Sequence, residues 1–221
     1  MIRYSNANGK LQKLQKRIGK RVYSFNLPAG HSCPWALDCF SKADKVTGKI
    51  TDGPAMKFRC YASSLEALYP SVRKMYHSNY EEIKAFNGNA DMISEALLSA
   101  MPKKAEVIRI HTSGDFFHAS YFQAWIKVAL ARPDVTFYAY TKALDFWIIY
   151  KNAIPKNFRL TASRGGKADQ LIDNHNLPES IVIYPDQVAT FGHEIDNDDF
   201  HAYQGGNTFG LIVHGTQPKK K

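Results

Sequence analysis

The chain has 221 residues, 44% of them apolar and 22% charged, with three cysteines and a formal net charge of +9. A chain of this length buries enough surface to fold around one core without staples, and an odd set of cysteines confined to its first third excludes a secreted disulfide framework. No apolar run reaches the length of a membrane span or a secretory signal, so the expectation is an unanchored protein of a reducing cytoplasm.

Residues 1–20 form a basic segment. Arg3, Lys10, Lys13, Lys16, Arg17, Lys20 and Arg21 all precede the first acidic residue, Asp38. This segment is expected to be a basic N-terminal arm, either solvated or bound to nucleic acid. Residues 21–27 read as a strand, and Pro28, Gly30 and Pro34 mark the following segment as loop. Turn chemistry at Thr47-Gly48-Lys49 and Asp52-Gly53-Pro54 makes 41–57 an excursion or hairpin. Leu65, Leu68, Tyr69, Val72 and Tyr76 recur at helical spacing, with Pro70 either kinking that helix or opening a second one. Ile93, Ala96, Leu97 and Ala100 mark a further helix ending at Pro102.

From 106 onward strands and helices alternate. Strands are predicted at 106–112, 135–141, 157–163 and 180–184, with helices at 118–131, 143–151 and 167–174 between them. The first of these helices is built on Phe122, Trp125, Ile126 and Ala129. Such alternation implies βαβ units around a parallel sheet or partial barrel. The expected organisation is an α/β partial barrel over 21–184, carrying a cysteine loop at 28–61. A polar surface loop and a C-terminal strand at 208–215 complete the segment 185–221.

In parallel α/β folds reactive groups collect at the carboxyl ends of strands. There the sequence places His31-Ser32-Cys33, Ser113-Gly114-Asp115, Thr141-Lys142 and Ser163-Arg164-Gly165. Each cluster alone would serve as a helix cap. Four on one rim predict a site.

The cysteines, spaced C-x5-C-x20-C, suit soft metals. The candidates are a Cys3His zinc site with His31 as the nearest histidine, or an iron–sulfur cluster on Cys33, Cys39 and Cys60. Three thiolates on a four-iron cluster leave one iron open. His193, Glu194, Asp196, Asp198, Asp199 and His201 read as a solvated loop or as ligands of a hard metal. Gly165-Gly166-Lys167 lacks the full spacing of a phosphate-binding loop, and no hydrolase nucleophile elbow is present.

The segments FNLPAGHSCPWALDC, FRCYA, IRIHTSGDFFHASYFQAWIKVA, VTFYAYTKAL and FRLTASRGG resemble the phage and plasmid gene product 88 family. The order Cys-Tyr-Ala, Gly-Asp-Phe-Phe, a tryptophan helix and Tyr-Thr-Lys more distantly resembles phage proteins of the radical S-adenosylmethionine (SAM) superfamily. That second likeness implies a partial (β/α) barrel whose [4Fe–4S] cluster is held by Cys33, Cys39 and Cys60, with SAM on the open iron. It implies Ser113, Gly114 and Asp115 at the SAM amino group, and Lys142, Ser163 and Arg164 at its carboxylate or ribose. The location implied is the cytoplasm of a bacterial host. Two departures stand out: the compact C-x3-C-x2-C run is here opened by an insertion, and a second cysteine group of some relatives is replaced by the acidic segment 193–201. The competing functions are a nucleic-acid-binding accessory protein and a zinc-stabilised interaction protein.

Overall fold

A computed structural model describes residues 1–218; residues 219–221, the end of the expected C-terminal segment, lie outside the described residues. In chain order the elements are β1 (Tyr4–Ser5), α1 (Gly9–Ile18), β2 (Val22–Phe25), β3 (Ser41–Ala43), β4 (Ile50–Asp52), α2 (Tyr61–Leu68), α3 (Pro70–Ala85) and α4 (Ala90–Ala100). They continue as β5 (Val107–Ile110), α5 (Ala119–Ala131), β6 (Thr136–Thr141), α6 (Leu144–Tyr150), β7 (Phe158–Ser163), α7 (Gln170–His175) and β8 (Glu179–Ile183). A 3-10 turn (Pro185–Thr190), α8 (Phe200–Gln204) and β9 (Phe209–Ile212) complete the chain.

The protein is a mixed α/β fold around one seven-stranded sheet in the order β1-β2-β5-β6-β7-β8-β9. Every neighbouring pair from β2 to β9 is parallel, and only the short edge strand β1 runs antiparallel. The four strands expected from the alternating pattern lie in this sheet, as do those expected at 21–27 and 208–215. It is open, with β1 and β9 at its edges. It also curls: the rings of Tyr140 on β6 and Phe209 on β9 lie 6.0 Å apart, whereas three strand spacings in a flat sheet would separate them by about 14 Å.

The two faces differ in what covers them. On the convex face Phe25, Ile108, Ile110, Phe137, Ala139, Phe158 and Leu160 pack against the helices. Phe122, Trp125, Ile126 and Ala129 of α5 are all buried there, as their spacing predicts. Each such large side chain contributes about 1.5–3 kcal/mol through burial. On the concave face Val22, Val107, Tyr138 and Phe209 meet Leu11 and Leu14 of α1 and Ala202 of α8.

The N-terminal segment expected as an arm is therefore β1 and α1, packed into the curl of the sheet. Asn8 caps α1 by accepting from Lys10 N and Leu11 N, and Gly19 ends it at φ 68°. The region 185–207, expected as a surface loop, contains the 3-10 turn and α8 and buries Asp196 and Asp199. Pro70 opens a second helix rather than kinking one. The excursion 41–57 is a hairpin, β3 pairing antiparallel with β4.

Candidate functional site

The loop after β2 is zipped to the loop after β7. Leu37 N and Asp38 N both donate to Gly165 O, at 3.2 and 2.9 Å, and Lys167 N donates to Trp35 O at 2.9 Å. Gly165 is required there. Its φ is +97°, and a Cβ would lie 2.9 Å from Asp38 Cβ, so a side chain is strained on both counts. The hairpin β3–β4 then returns the chain to its starting point, because Lys57 N and Phe58 N both donate to Asp38 O, at 2.8 and 3.1 Å. Cys60 N donates to Ser41 Oγ at 3.0 Å, two residues after Cys39. The twenty-residue insertion is thus a closed excursion that leaves its two flanking cysteines side by side.

All three cysteines are free and partly exposed, and they act on one another electrostatically. The Cys33 thiol is pushed far up by burial, then by Asp115, Cys60 and Cys39. Burial followed by Cys39 pushes Cys60 up to about 12. Cys39 is raised by burial and partly relieved by Lys142. Neutral thiols are the stable state of this cluster unless positive charge is brought to it. His31, the histidine nearest in sequence, is held elsewhere: its Nε2 lies 2.9 Å from Ala43 O, and its ring packs on His77 at 4.8 Å. Among the described residues, the acidic segment 193–201 included, no group of three or more His, Cys, Asp or Glu side chains is placed to hold a metal ion.

A cavity of about 400 Å³ opens on the concave side at the carboxyl ends of the strands. Cys39, Cys60, Lys142 and Ser163 line it, so four of the nine sequence-predicted site residues reach its wall. Asp115 stands behind them, accepting from Thr141 Oγ1 (2.7 Å), Lys142 N (2.8 Å) and Phe116 N (2.7 Å). Burial raises its carboxyl, and these bonds counter part of that rise. Lys142 Nζ donates to Ser163 O, Ser163 Oγ and Arg164 O at 2.6, 3.0 and 2.8 Å, which fixes the ammonium on the rim.

Ser113 and Gly114 are structural neighbours of the site. Ser113 Oγ donates to Glu66 Oε1 at 2.8 Å, and the same oxygen accepts from Ala29 N at 2.8 Å. One buried carboxyl therefore ties the end of β5 to the start of the cysteine loop. Gly114 has φ +91°, and a Cβ there would meet Leu27 Cβ and Ser32 Oγ, both at 2.7 Å. Arg164 is engaged with Glu179 and Asp173 and does not line the cavity.

Sequence reasoning missed the far side of the cavity. Arg109, Tyr140, Lys10 and Tyr61 line it. Arg109 and Tyr138 are directly paired in the parallel register, and Asp199 accepts from Arg109, from Tyr138 Oη (3.1 Å) and from Tyr140 Oη (3.2 Å). The available signal was a charged residue inside an otherwise apolar strand, VIRI. Such a residue is tolerated only where it is paired.

The gene product 88 family model matches residues 3–221. The Gene 88 protein of Mycobacterium phage L5 is 29% identical over 154 residues, covering 61% of this chain and 58% of the relative. That of Mycobacterium phage D29 is 30% identical over 128 residues, covering 54% and 47% respectively. The matches thus span about half the length of these relatives, and neither name states an activity. No solved structure matches the chain.

Proposed function

The chain belongs to the gene product 88 family, and from that premise we propose that it is an iron–sulfur protein: Cys33, Cys39 and Cys60 hold a [4Fe–4S] cluster, and the adjoining cavity admits SAM. The observation that carries this reading is that two free thiols, Cys39 and Cys60, line one cavity at the carboxyl edge of a parallel sheet, with the Cys33 thiol within their electrostatic reach. Their mutual effect on one another's pKa supports it, because thiols that resist ionisation together become ligands when a cationic centre compensates them. The donor set favours a cluster over zinc. A zinc ion needs its ligands drawn to bonding distance of one point, whereas a cluster spans its ligands with its own inorganic core.

When bound, a cluster of this type supplies one-electron reduction and an open iron at which SAM is chelated and cleaved. The chain's own residues do the rest. Lys142, held by three oxygens, presents a fixed positive charge at the cavity wall. Ser163 Oγ lies beside it as a polar contact, and Asp115 sets the backbone of Lys142. The zipped loops at Gly165 and Asp38 fix the course of the cysteine loop.

Anaerobic purification with iron, sulfide and zinc analysis tests the proposal. The expected result is brown protein with iron and sulfide, bleached by Cys33→Ala, Cys39→Ala or Cys60→Ala. Colourless protein after reconstitution, or one zinc without iron, overturns it.

A second reading, nucleic-acid binding, rests on Lys13, Lys16 and Lys20, which stay exposed along and just beyond α1. It predicts affinity that falls steeply with salt, with a log–log slope of about −0.9 per phosphate contacted. Changing the three lysines to alanine reduces that slope if they make the contacts.

A further inference from the structure

Four cations line the cavity: Lys10, Arg59, Arg109 and Lys142. Among the described residues no Asp or Glu lines it. Their acid partners stand behind the wall: Asp196 and Asp199 hold Lys10 at 3.6 and 2.7 Å with fully buried carboxylates, and Asp52 holds Arg59 at 2.5 Å. Arg109 is 8% exposed. Its Nε donates to His111 O at 3.0 Å and its Nη1 to Asp199, while among the described residues its Nη2 has no hydrogen-bond partner. The guanidinium also lies 4.7 Å from the centroid of the Tyr140 ring. A buried guanidinium held on two sides, with one nitrogen left on a cavity wall, is pre-organised to donate to an oxyanion. Lys10 stands at the N-terminal end of α1, where the helix dipole adds to the same potential.

The remaining wall is apolar and aromatic. Val182, Leu211, Ile212 and Val213 come from the far strands, and Tyr61 packs on His214 with ring centroids 4.6 Å apart and planes 31° apart. The Tyr61 ring is fixed there, its Oη donating to Thr112 O at 2.7 Å.

We propose that this floor binds the substrate through an oxyanion on Arg109 and Lys10, with a flat apolar body laid along the aromatic and aliphatic wall toward the thiols. The substrate class is an organic phosphate or carboxylate carrying a ring. This names the substrate of the cavity described under the proposed function and rests on that reading for its catalytic meaning, but the binding itself does not require the cluster.

Calorimetric titration of the full chain with phenyl phosphate, benzoate and neutral benzyl alcohol tests it, in wild type, in chelator-treated wild type and in Lys10→Gln and Arg109→Lys. The two anions are expected to bind saturably and the alcohol not. The stronger anion tells phosphate from carboxylate. Lys10→Gln, on the partly exposed edge of the floor, is expected to weaken anion binding at least tenfold, and Arg109→Lys at least as much. Chelator-treated wild type is expected to bind the anions normally while lacking iron, which separates failure of this floor from failure of the cluster. Absence of anion binding, equal binding of the alcohol, or unchanged affinity in Lys10→Gln overturns the proposal.

Discussion

Lys10 Nζ stands 2.7 Å from a carboxylate oxygen of Asp199, joining the first helix of the chain to the segment before the last strand across the concave face of the sheet. The basic beginning and the acidic end of the sequence neutralise each other inside the fold. Arg17 repeats the pattern at the surface, pairing with Asp198 at 3.0 Å and lying 3.5 Å over the Phe200 ring.

Asp199→Asn is expected to be the most damaging single change in this network. It leaves the Arg109 guanidinium buried beside a neutral amide, a loss of about 3–5 kcal/mol. Burial pushes the Asp199 carboxyl up, and Arg109, Lys10 and Tyr138 more than reverse that, so its folded pKa lies below the ordinary 3.8. A depressed carboxyl contributes stability that is present above the unfolded value and lost as pH falls through the folded one. Urea unfolding of wild type and variant should therefore converge as pH falls below 3.8.

Glu66 has the opposite sign. Burial raises its carboxyl from 4.5 to about 7, with Ala29 N and Ser113 Oγ only partly countering, and among the described residues its second oxygen has no hydrogen-bond partner. The folded state holds a proton there that the unfolded chain has released. Stability from this group is complete below 4.5 and falls as pH rises towards 7. The full swing corresponds to about 3 kcal/mol. Glu66→Gln should flatten the stability profile between those limits, measured by urea midpoints across pH.

The thiols predict their own reactivity. In chelator-treated protein at neutral pH, iodoacetamide should label Cys60, raised to about 12, far more slowly than a free thiol. Cys39, relieved by Lys142, should react first. Site-resolved mass spectrometry over a pH series reads the order directly.

Gly114→Ala should cost about 2–4 kcal/mol, combining a left-handed backbone with an overpacked contact. The added carbon would meet Leu27 Cβ and Ser32 Oγ at 2.7 Å and Leu27 O at 2.9 Å. A drop in Tm of several degrees by calorimetry is expected, with the cysteine loop the first segment to lose hydrogen-exchange protection.

The strands and the convex-face helices were legible because their apolar periodicity is local: Phe122, Trp125, Ile126 and Ala129 name one helix face by spacing alone. The α1 helix was legible in the same way, through Leu11, Leu14 and Ile18 between Asn8 and Gly19, but seven basic residues drew attention to charge rather than period. The burial of Asp196 and Asp199 was not legible. Their partners are backbone N–H groups of one turn and side chains that lie far away in sequence, and nothing local distinguishes a buried acid from a solvated one. The rim clusters after the strands were legible as a set, while which members reach the cavity depends on pairings between loops.

Lys142 and Arg164 separate on that point. Both are basic residues on one rim, and both are implied by the radical SAM likeness to meet the cofactor. Lys142 lines the cavity beside Cys39, whereas Arg164 is held by Glu179 and Asp173 on a partly exposed surface. Ion pairs at that exposure contribute about 0–1 kcal/mol. Under the proposed function, Arg164→Gln should therefore leave SAM binding by reconstituted protein unchanged within twofold. Lys142→Met removes the fixed charge at the cavity wall and a cation that relieves Cys39, and under the proposed function should weaken SAM binding at least tenfold. Equilibrium dialysis with labelled SAM checks both, and equal losses in the two variants would return Arg164 to the cofactor site.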